Sequence, residues 1–445
     1  MSVFRAAKAT IAVRRFKTYP AYRNSEVEWT GDIPSHWRTA RISELITLIN
    51  GYPFDSEYFT HADGVPLVRI RDLNNTVTEA NYVGPIMESA WIEPGDVIVG
   101  MDGEFNVAHW NGPRALLNQR MCCVRPRSEA EPRFIAYLLP FPLKVINDIT
   151  YSTTVKHLSS ADVRKIKLGA PSEAEQSIIA DFLDRETAKI DALVAENERL
   201  IALLQENRAA LITRAVTKGL NSNAPMKNSG IDWLGEIPAH WDLTKMWRIS
   251  RAISGGTPAR EEQAFWDGGI PWISAKDMKR KHIDSSEDTI TERAIAETGL
   301  KLVAPPVVLI VVRGMILAHT FPVAITSVPV TINQDMKALQ FKSGVAPEFM
   351  TWLFDGIGKN LLASIVEEAA HGTRAIRMDE WRSAIVPIPP KSEQQSICAF
   401  LERETASVDT LVSMIGNAVD KLKEFRTALI SAAVTGKIDV REEAA

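Results

Sequence analysis

Eight histidines, three cysteines and a few glycine-rich turns are the residues of this chain that could hold a metal, a phosphate or a reacting group. A phosphate-cradling G-x-x-x-x-G-K-[ST] loop brings backbone N–H groups, a lysine and a magnesium-binding hydroxyl together. Gly358-Lys359-Asn360 lacks both the upstream glycine and the hydroxyl residue, and Gly255-Gly256-Thr257-Pro258 is too short to hold a phosphate by itself. No N-P-P-Y or D-P-P-Y methyltransferase loop occurs, and no acidic pair followed by a lysine stands out as a nuclease site. Cys122 and Cys123 are adjacent, so in a strand they face opposite ways and cannot share a ligand. His61, His109, His282 and His319 belong to no cluster with metal-ligand spacing. His36 and His240 recur in the same Pro-x-His-Trp context, with Trp29, Trp37, Trp233 and Trp241 nearby, which reads as one packing role used twice. We therefore assign no catalytic residue, no metal ligand and no cofactor to this chain.

The elements that position side chains must be sought in a protein of 445 residues, long enough for roughly three domains. Its 45% hydrophobic content is that of a soluble globular protein. No apolar run approaches the roughly 20 residues needed to span a bilayer, and the basic N-terminal stretch has no signal-peptide core. These features predict a cytoplasmic protein. The net charge of −4 conceals an uneven distribution, because residues 171–220 and 388–445 together contribute −5 and leave +1 for the rest. Total charge neither excludes nor announces a nucleic-acid partner.

The chain repeats itself. Ser25–Trp37, SEVEWTGDIPSHW, returns as Ser229–Trp241, SGIDWLGEIPAHW, and Glu175–Val194, EQSIIADFLDRETAKIDALV, returns as Glu393–Val412, EQQSICAFLERETASVDTLV. VPLVRIRDL (Val65–Leu73) answers IPWISAKDM (Ile270–Met278), and NQRM (Asn118–Met121) answers NQDM (Asn333–Met336). Each half is thus an opening segment, a variable body and a long helix. Alternation in VPLVRIRDL predicts a half-buried strand and the apolar run Val307–Val312 a fully buried one, while RFIAYLLPF and EFMTWLFDGI predict helices. PGD (Pro94–Asp96), MDG (Met101–Gly103) and Arg313-Gly314 read as turns.

Both long helices carry start signals, Ser172-x-x-Glu175 after Pro171 and Ser392-x-x-Gln395 after Pro390, each readable as a capping box. The two boxes differ by two residues from the alignment of the Glu-Gln dipeptides. Gly219 and Gly436 mark the ends. Between them Leu183, Ile190, Asn197, Leu204 and Leu211 fall every seven residues, as do Leu401, Val408, Ile415, Leu422 and Leu429. Sustained heptads predict a coiled-coil seam, with the helices antiparallel, a body at either end, and Asn197 near Ile415 fixing register. A helix of about 45 residues is roughly 65 Å long, and four added residues lengthen it by about 6 Å. Such a spacer suits a long periodic ligand such as duplex DNA, with half-sites about 34 Å apart, or equally a structural stalk.

The order of variable body, helix, variable body and the same helix again resembles the specificity subunit of type I restriction-modification systems. The resemblance is carried by P-x-x-x-EQ-x-x-I-x-x-FL-[DE]-R-ET-x-x-[IV]-D in both helices, by YPAYRNSEVEWTGDIPSHW, by SGGTPAR with GGIPWISAKDMK, and by PGDVIVGMDGEF and NQDMKAL. It extends over nearly the whole chain after about residue 19. The resemblance implies a non-catalytic protein with two target-recognition domains, each reading half of a bipartite double-stranded DNA target. It further implies helical spacers that dock two methyltransferase subunits, with restriction and translocase subunits joining them. S-adenosylmethionine, ATP and magnesium would then be needs of those partners.

The fold expected on this basis is α+β: two similar mixed α/β target-recognition domains separated by two long helices packed as an antiparallel coiled coil. The expected boundaries are an N-terminal extension at 1–24, domains at 25–170 and 221–387, spacers at 171–220 and 388–440, and a tail at 441–445. Arg5, Lys8, Arg14, Arg15 and Lys17, before Tyr19, lie outside the repeat and read as a disordered tail. The competing function is a duplicated coiled-coil adaptor that joins proteins without touching DNA.

Base readout uses long polar side chains, since Arg or Lys can bind guanine and Asn or Gln adenine. Two places recur in both halves. Arg69 and Arg71 stand opposite Lys276 and Lys279, after a predicted strand. STTVKH (Ser152–His157) and HGTRAIR (His371–Arg377) each precede the last strand before a long helix, and offer Thr154 with Lys156 and Thr373 with Arg374. These eight residues are the candidate DNA contacts, although lysines and arginines are ordinarily solvated surface residues and phosphate contacts outnumber base contacts.

Overall fold

The computed structural model describes residues 16–443 apart from 28, 74, 150–155 and 369–372. The chain divides into two compact units, one made of residues up to 197 and from 418 onward, the other of residues 198–417. Each unit therefore holds one body, one end of the first long helix, Glu173–Lys218, and the opposite end of the second, Lys391–Val434.

The helix ends differ from the expected capping boxes. Ser172 Oγ accepts from the Glu175 N–H at 3.3 Å, but the Glu175 carboxylate turns into the body instead of back to the cap. Ser392 lies inside the second helix, whose first bonds run from the Glu393 and Gln394 N–H groups to the Pro390 carbonyl. Pro390 is the repeat equivalent of Ser172, and a proline is tolerated there because its missing N–H would have no helical partner. Both helices stop as expected, at Gly219 with φ 71° and Gly436 with φ 70°, left-handed positions suited to glycine.

Within the first unit, Leu183, Ile190, Leu429, Ile430, Ala433 and Val434 are buried in one core, and Asp191 pairs with Arg426 at 2.8 Å. Arg185 also reaches the Glu443 carbonyl, which ties the chain beyond the second helix to the first. Within the second unit Ile212, Val216, Ile397 and Leu401 share a core, and Arg208 pairs with Asp409 at 2.8 Å. Asp191 and Arg426 are the repeat equivalents of Asp409 and Arg208, so the same ion pair is made once in each unit. Of the heptad positions Leu183, Ile190, Leu401 and Leu429 are buried, while Asn197, Leu204, Leu211, Val408, Ile415 and Leu422 are only half-covered. The Asn197 amide is satisfied by its own helix, through the Leu193 carbonyl at 2.7 Å.

Each body opens with the same hairpin. Tyr22–Asn24 pairs with Asp32–Pro34 and Met226–Asn228 with Glu236–Pro238, turning through Gly31 and Gly235 at φ 65° and 64°. The following strand closes the body on its last strand, Arg38–Arg41 on Lys167–Ala170 and Asp242–Lys245 on Ile385–Ile388. Residues 22–24, expected in the extension, thus belong to the first body. Lys17 is no tail residue either: its carbonyl accepts from the Asp439 N–H at 2.8 Å and its ammonium meets Glu442 at 2.5 Å. Arg441 lies over the Tyr19 ring, so the expected 441–445 tail is anchored at its start, while Arg5, Lys8, Arg14 and Arg15 fall outside the described residues.

The first body is built on an antiparallel sheet in the order Val107–His109, Val97–Gly100, Met121–Pro126, Ile46–Asn50. Cys122 faces one core and Cys123 the other, as adjacent strand residues must. The second body has the corresponding sheet, with Met336–Phe341 between Ser250–Ser254 and the fully buried Val307–Val311. Helices Pro132–Leu138 and Pro347–Ile365 appear where RFIAYLLPF and EFMTWLFDGI predicted them, and Pro140–Ile149 is a further helix that was not anticipated. Arg313-Gly314, read as a turn, is instead a short strand beside Arg374–Ile376.

The repeated dipeptides join body to helix. Glu175, buried, accepts from Tyr19 Oη at 2.8 Å and Trp37 Nε1 at 3.1 Å, and bonds His36 Nε2 at 2.9 Å. Glu393 accepts from Trp241 Nε1 at 3.0 Å and bonds His240 Nε2 at 2.8 Å. Gln176 and Gln394 each accept one body N–H, from Glu131 and Ala346, and donate to two backbone carbonyls. The carboxamide can do this because it carries acceptor and donors on one planar group.

The close approaches and the glutamate joints set what substitutions there should cost. A Cβ on Gly51 or Gly255 would lie 1.8 Å from the Asn118 carbonyl or 1.9 Å from the Ile332 carbonyl. Gly51→Ala and Gly255→Ala should each cost at least about 1–3 kcal/mol, read as a fall in the urea midpoint of the altered unit. Glu175→Ala should cost more than Glu393→Ala, each in a range of roughly 1–3 kcal/mol or above. The Glu175 side chain is 8% exposed with three partners, against 24% with two for Glu393. Hydrogen exchange resolved by unit would check the order, and a larger loss in the second unit would contradict it.

Candidate nucleic-acid interface

The candidate contacts after the predicted strand lie on equivalent one-turn helices, Ile70–Asp72 and Ala275–Asp277, each closed by a carboxylate that accepts from the residue before the turn. Arg71 and Lys276 occupy the same place on them. Lys276 Nζ lies 3.0 Å from Glu287 and 3.2 Å from Asp288, and these carboxylates hold its pKa above the ordinary lysine value. Arg71 is 3.9 Å from Glu79 and two-thirds exposed. Arg69 is tied down, 3.0 Å from Glu79 and 3.4 Å from Asp72, with a side chain only 18% exposed. Lys279 is exposed. Solvated ion pairs of this kind are worth about 0–1 kcal/mol, so Arg71 and Lys276 can exchange a carboxylate for a phosphate at little cost.

The second pair of places divides. Thr154 lies outside the described residues, as do Ser152 and His371. Lys156 turns inward, donating at 2.7 Å to both the carbonyl and the side-chain oxygen of Asn147, so it braces the body. Thr373 is half-buried, and Arg374 starts a strand between Arg313-Gly314 and Val366–Glu368. Arg374 lines a cleft of about 470 Å³ with His319, Thr320, Lys359 and Glu368. Among the described residues no carboxylate lies within 4 Å of Arg374 or Lys359.

A charge reversal between the halves, not anticipated from the sequence, lies beside these places. In the first unit Asp102 meets Arg120 at 3.1 Å and His157 at 2.8 Å. The strand registers align Asp102 with Arg313 and Arg120 with Asp335, and the Met101 and Val312 N–H groups bond the Arg120 and Asp335 carbonyls alike. Acid in one half thus stands where base stands in the other. NQRM against NQDM and MDG against VRG carried that signal in the sequence. Equivalent backbone with opposite charge can discriminate different ligand surfaces.

Among the described residues there is no group of three or more metal-ligating side chains and no helix long and apolar enough to cross a membrane. The His36 and His240 rings are accounted for by their glutamates. Cys122 and Cys398 are buried, and burial pushes both thiols up to about 12, far from a reactive thiolate.

The family described as type I restriction modification DNA specificity domain matches twice, over residues 34–201 and 240–415. The chain is 29% identical over 422 residues to the EcoBI type I restriction enzyme specificity subunit of Escherichia coli, an alignment covering 91% of this chain and 87% of that one. Its fold is shared with a chain solved in work on the complex assembly and conformational transition of the type I R-M system. That chain has a TM-score of 0.68 at 19% identity, over 90% of this chain and 98% of the other. The HsdS subunit from Thermoanaerobacter tengcongensis superposes with a TM-score of 0.51 at 15% identity, over 91% and 98%. Two matched domains, each carrying its own opening hairpin, sheet and helix lock, make this chain a member of the type I restriction-modification DNA specificity family.

Proposed function

We propose that this chain is the sequence-specificity subunit of a type I restriction-modification complex, with each body reading one half of a bipartite double-stranded DNA target. The observation that carries the reading is duplication with divergence. The two bodies are held by the same glutamate and glutamine contacts, while their candidate contact regions carry reversed charges. Arg71, Lys276, Lys279, Thr373 and Arg374 are the contacts that their exposure and surroundings favour. Arg69 braces the turn that presents Arg71, Lys156 braces the first body through Asn147, and Thr154 is retained as a candidate on sequence alone.

In this reading the chain itself catalyses nothing. Two methyltransferase subunits dock along the long helices, restriction and translocase subunits complete the assembly, and S-adenosylmethionine, ATP and magnesium serve those partners in the cytoplasm. The adaptor alternative is disfavoured by the match to a DNA specificity family over most of the chain.

Long-read methylation sequencing of cells expressing the chain with its methyltransferase partner should reveal a new motif of two short defined parts separated by a fixed undefined gap. Cells lacking the chain should not show it, and unchanged methylation by an assembled complex would refute the reading. Arg374→Ala should relax the motif half read by the second body, by roughly 1–3 kcal/mol of discrimination at one position, and leave the other half intact. Equal relaxation of both halves would remove Arg374 from that role.

A further inference from the structure

In the second unit a groove of about 420 Å³ lies between the one-turn helix Met246–Ile249, the strand Ser250–Ser254 and the helix Met378–Ser383. Arg251, Lys337 and Arg382 line it, with Asp379 the acid among its walls. Among the described residues none of the three cations has a carboxylate within 4 Å. Glu380, one residue on, is paired with Arg377 at 3.6 Å.

Lys337 is the informative member. It is half-buried on a strand, its Nζ donates to Ser254 Oγ at 2.7 Å, and burial lowers its pKa from the ordinary lysine value. An ammonium partly removed from water without a counter-ion costs free energy that a bound anion would relieve. Trp247 stands 47% exposed at the rim, with the Arg248 guanidinium 5.3 Å from its ring. Lys245 precedes it on the surface.

The repeat argues against a structural role. By sequence shift and strand register the first-unit counterparts of Trp247, Arg248, Arg251 and Lys337 are Ser43, Glu44, Thr47 and Cys122, whereas Arg382 answers Arg164 and Lys245 answers Arg41. Glu44 is paired with Arg38 at 3.1 Å and Cys122 is buried in a core. The shared frame therefore keeps one of the three groove cations and folds without the other two, so the second unit carries Arg251 and Lys337 for another purpose.

We infer that this groove holds the sugar-phosphate backbone of duplex DNA, with Arg251, Lys337 and Arg382 on phosphate oxygens and Trp247 against the adjoining sugar. The inference rests on the DNA-specificity reading above and adds a backbone clamp that only the second unit possesses. Phosphate contacts of this kind set affinity and register without selecting bases.

The test is duplex binding by the full chain assembled with its methyltransferase partner, wild type against the triple variant Arg251→Ala, Lys337→Met, Arg382→Ala. Anisotropy titrations between 50 and 200 mM salt, on a target and a scrambled duplex, give the slope of log affinity against log salt. Removing each phosphate-binding cation should make that slope shallower by about 0.9, so up to about 2.7 for three, equally on both duplexes. The methylated motif should stay unchanged, and Arg251→Lys with Arg382→Lys should restore most of the slope. An unchanged slope in a folded variant, or weakening confined to the target duplex, overturns the clamp. Weaker assembly with the methyltransferase at constant slope would mark a protein-docking surface instead. Inorganic phosphate that binds the wild type but not the triple variant, without displacing DNA at matched ionic strength, would mark a small-anion site; both outcomes overturn the inference. Failure of the wild type to bind any duplex would sink the specificity reading itself.

Discussion

A carboxylate at the first turn of each long helix decides how each body is mounted. Glu175 and Glu393 take the indole N–H of the tryptophan and a ring nitrogen of the histidine that end the opening hairpin. The neighbouring glutamine fastens the loop ahead of the body's last helices, through Glu131 in one unit and Ala346 in the other. Buried polar groups satisfied on every side hold one geometry, because any displacement leaves donors or acceptors without partners in a place water cannot reach. The body can therefore vary in sequence between these fixed points while keeping its attitude to the helix that carries it. Trp37 and Trp241, both fully buried, supply the apolar half of the same joint.

Duplication turns that joint into a frame with two divergent faces. The ion pair Asp191–Arg426 in one unit and its equivalent Asp409–Arg208 in the other repeat the helix contacts. The surfaces away from the joint do not repeat: Asp102 answers Arg313 and Glu44 answers Arg248. Sameness where the chain packs and difference where it is exposed is the pattern expected of two readers of different sequences on one scaffold.

Legibility in the sequence followed the range of the interactions. The terminal glycines and the buried run Val307–Val311 depend on neighbours a few residues away, and the structure has them where the local pattern placed them. The pairing of Arg38–Arg41 with Lys167–Ala170 joins segments more than a hundred residues apart, and no local pattern announces it. The Ser392 capping box failed for the opposite reason: a good local motif lost to the alignment of the repeat, which puts the helix start at Pro390. Histidines 36 and 240 were legible as a repeated packing pair, yet their glutamate partners, some 140 to 150 residues on, were not.

The candidate contacts show most clearly what a sequence withholds. Arg69 and Arg71 look interchangeable in a string of letters, but the fold brings Asp72 and Glu79 around the first and leaves the second two-thirds exposed. Lys156 and Arg374 occupy matching segments, yet one is spent on Asn147 and the other opens on a cleft. A cation's availability is set by the carboxylates and carbonyls that other segments deliver to it and by how far they hold it out of solvent. By that criterion Arg374 remains available to a ligand, whereas Arg69 and Lys156 serve the loops they brace.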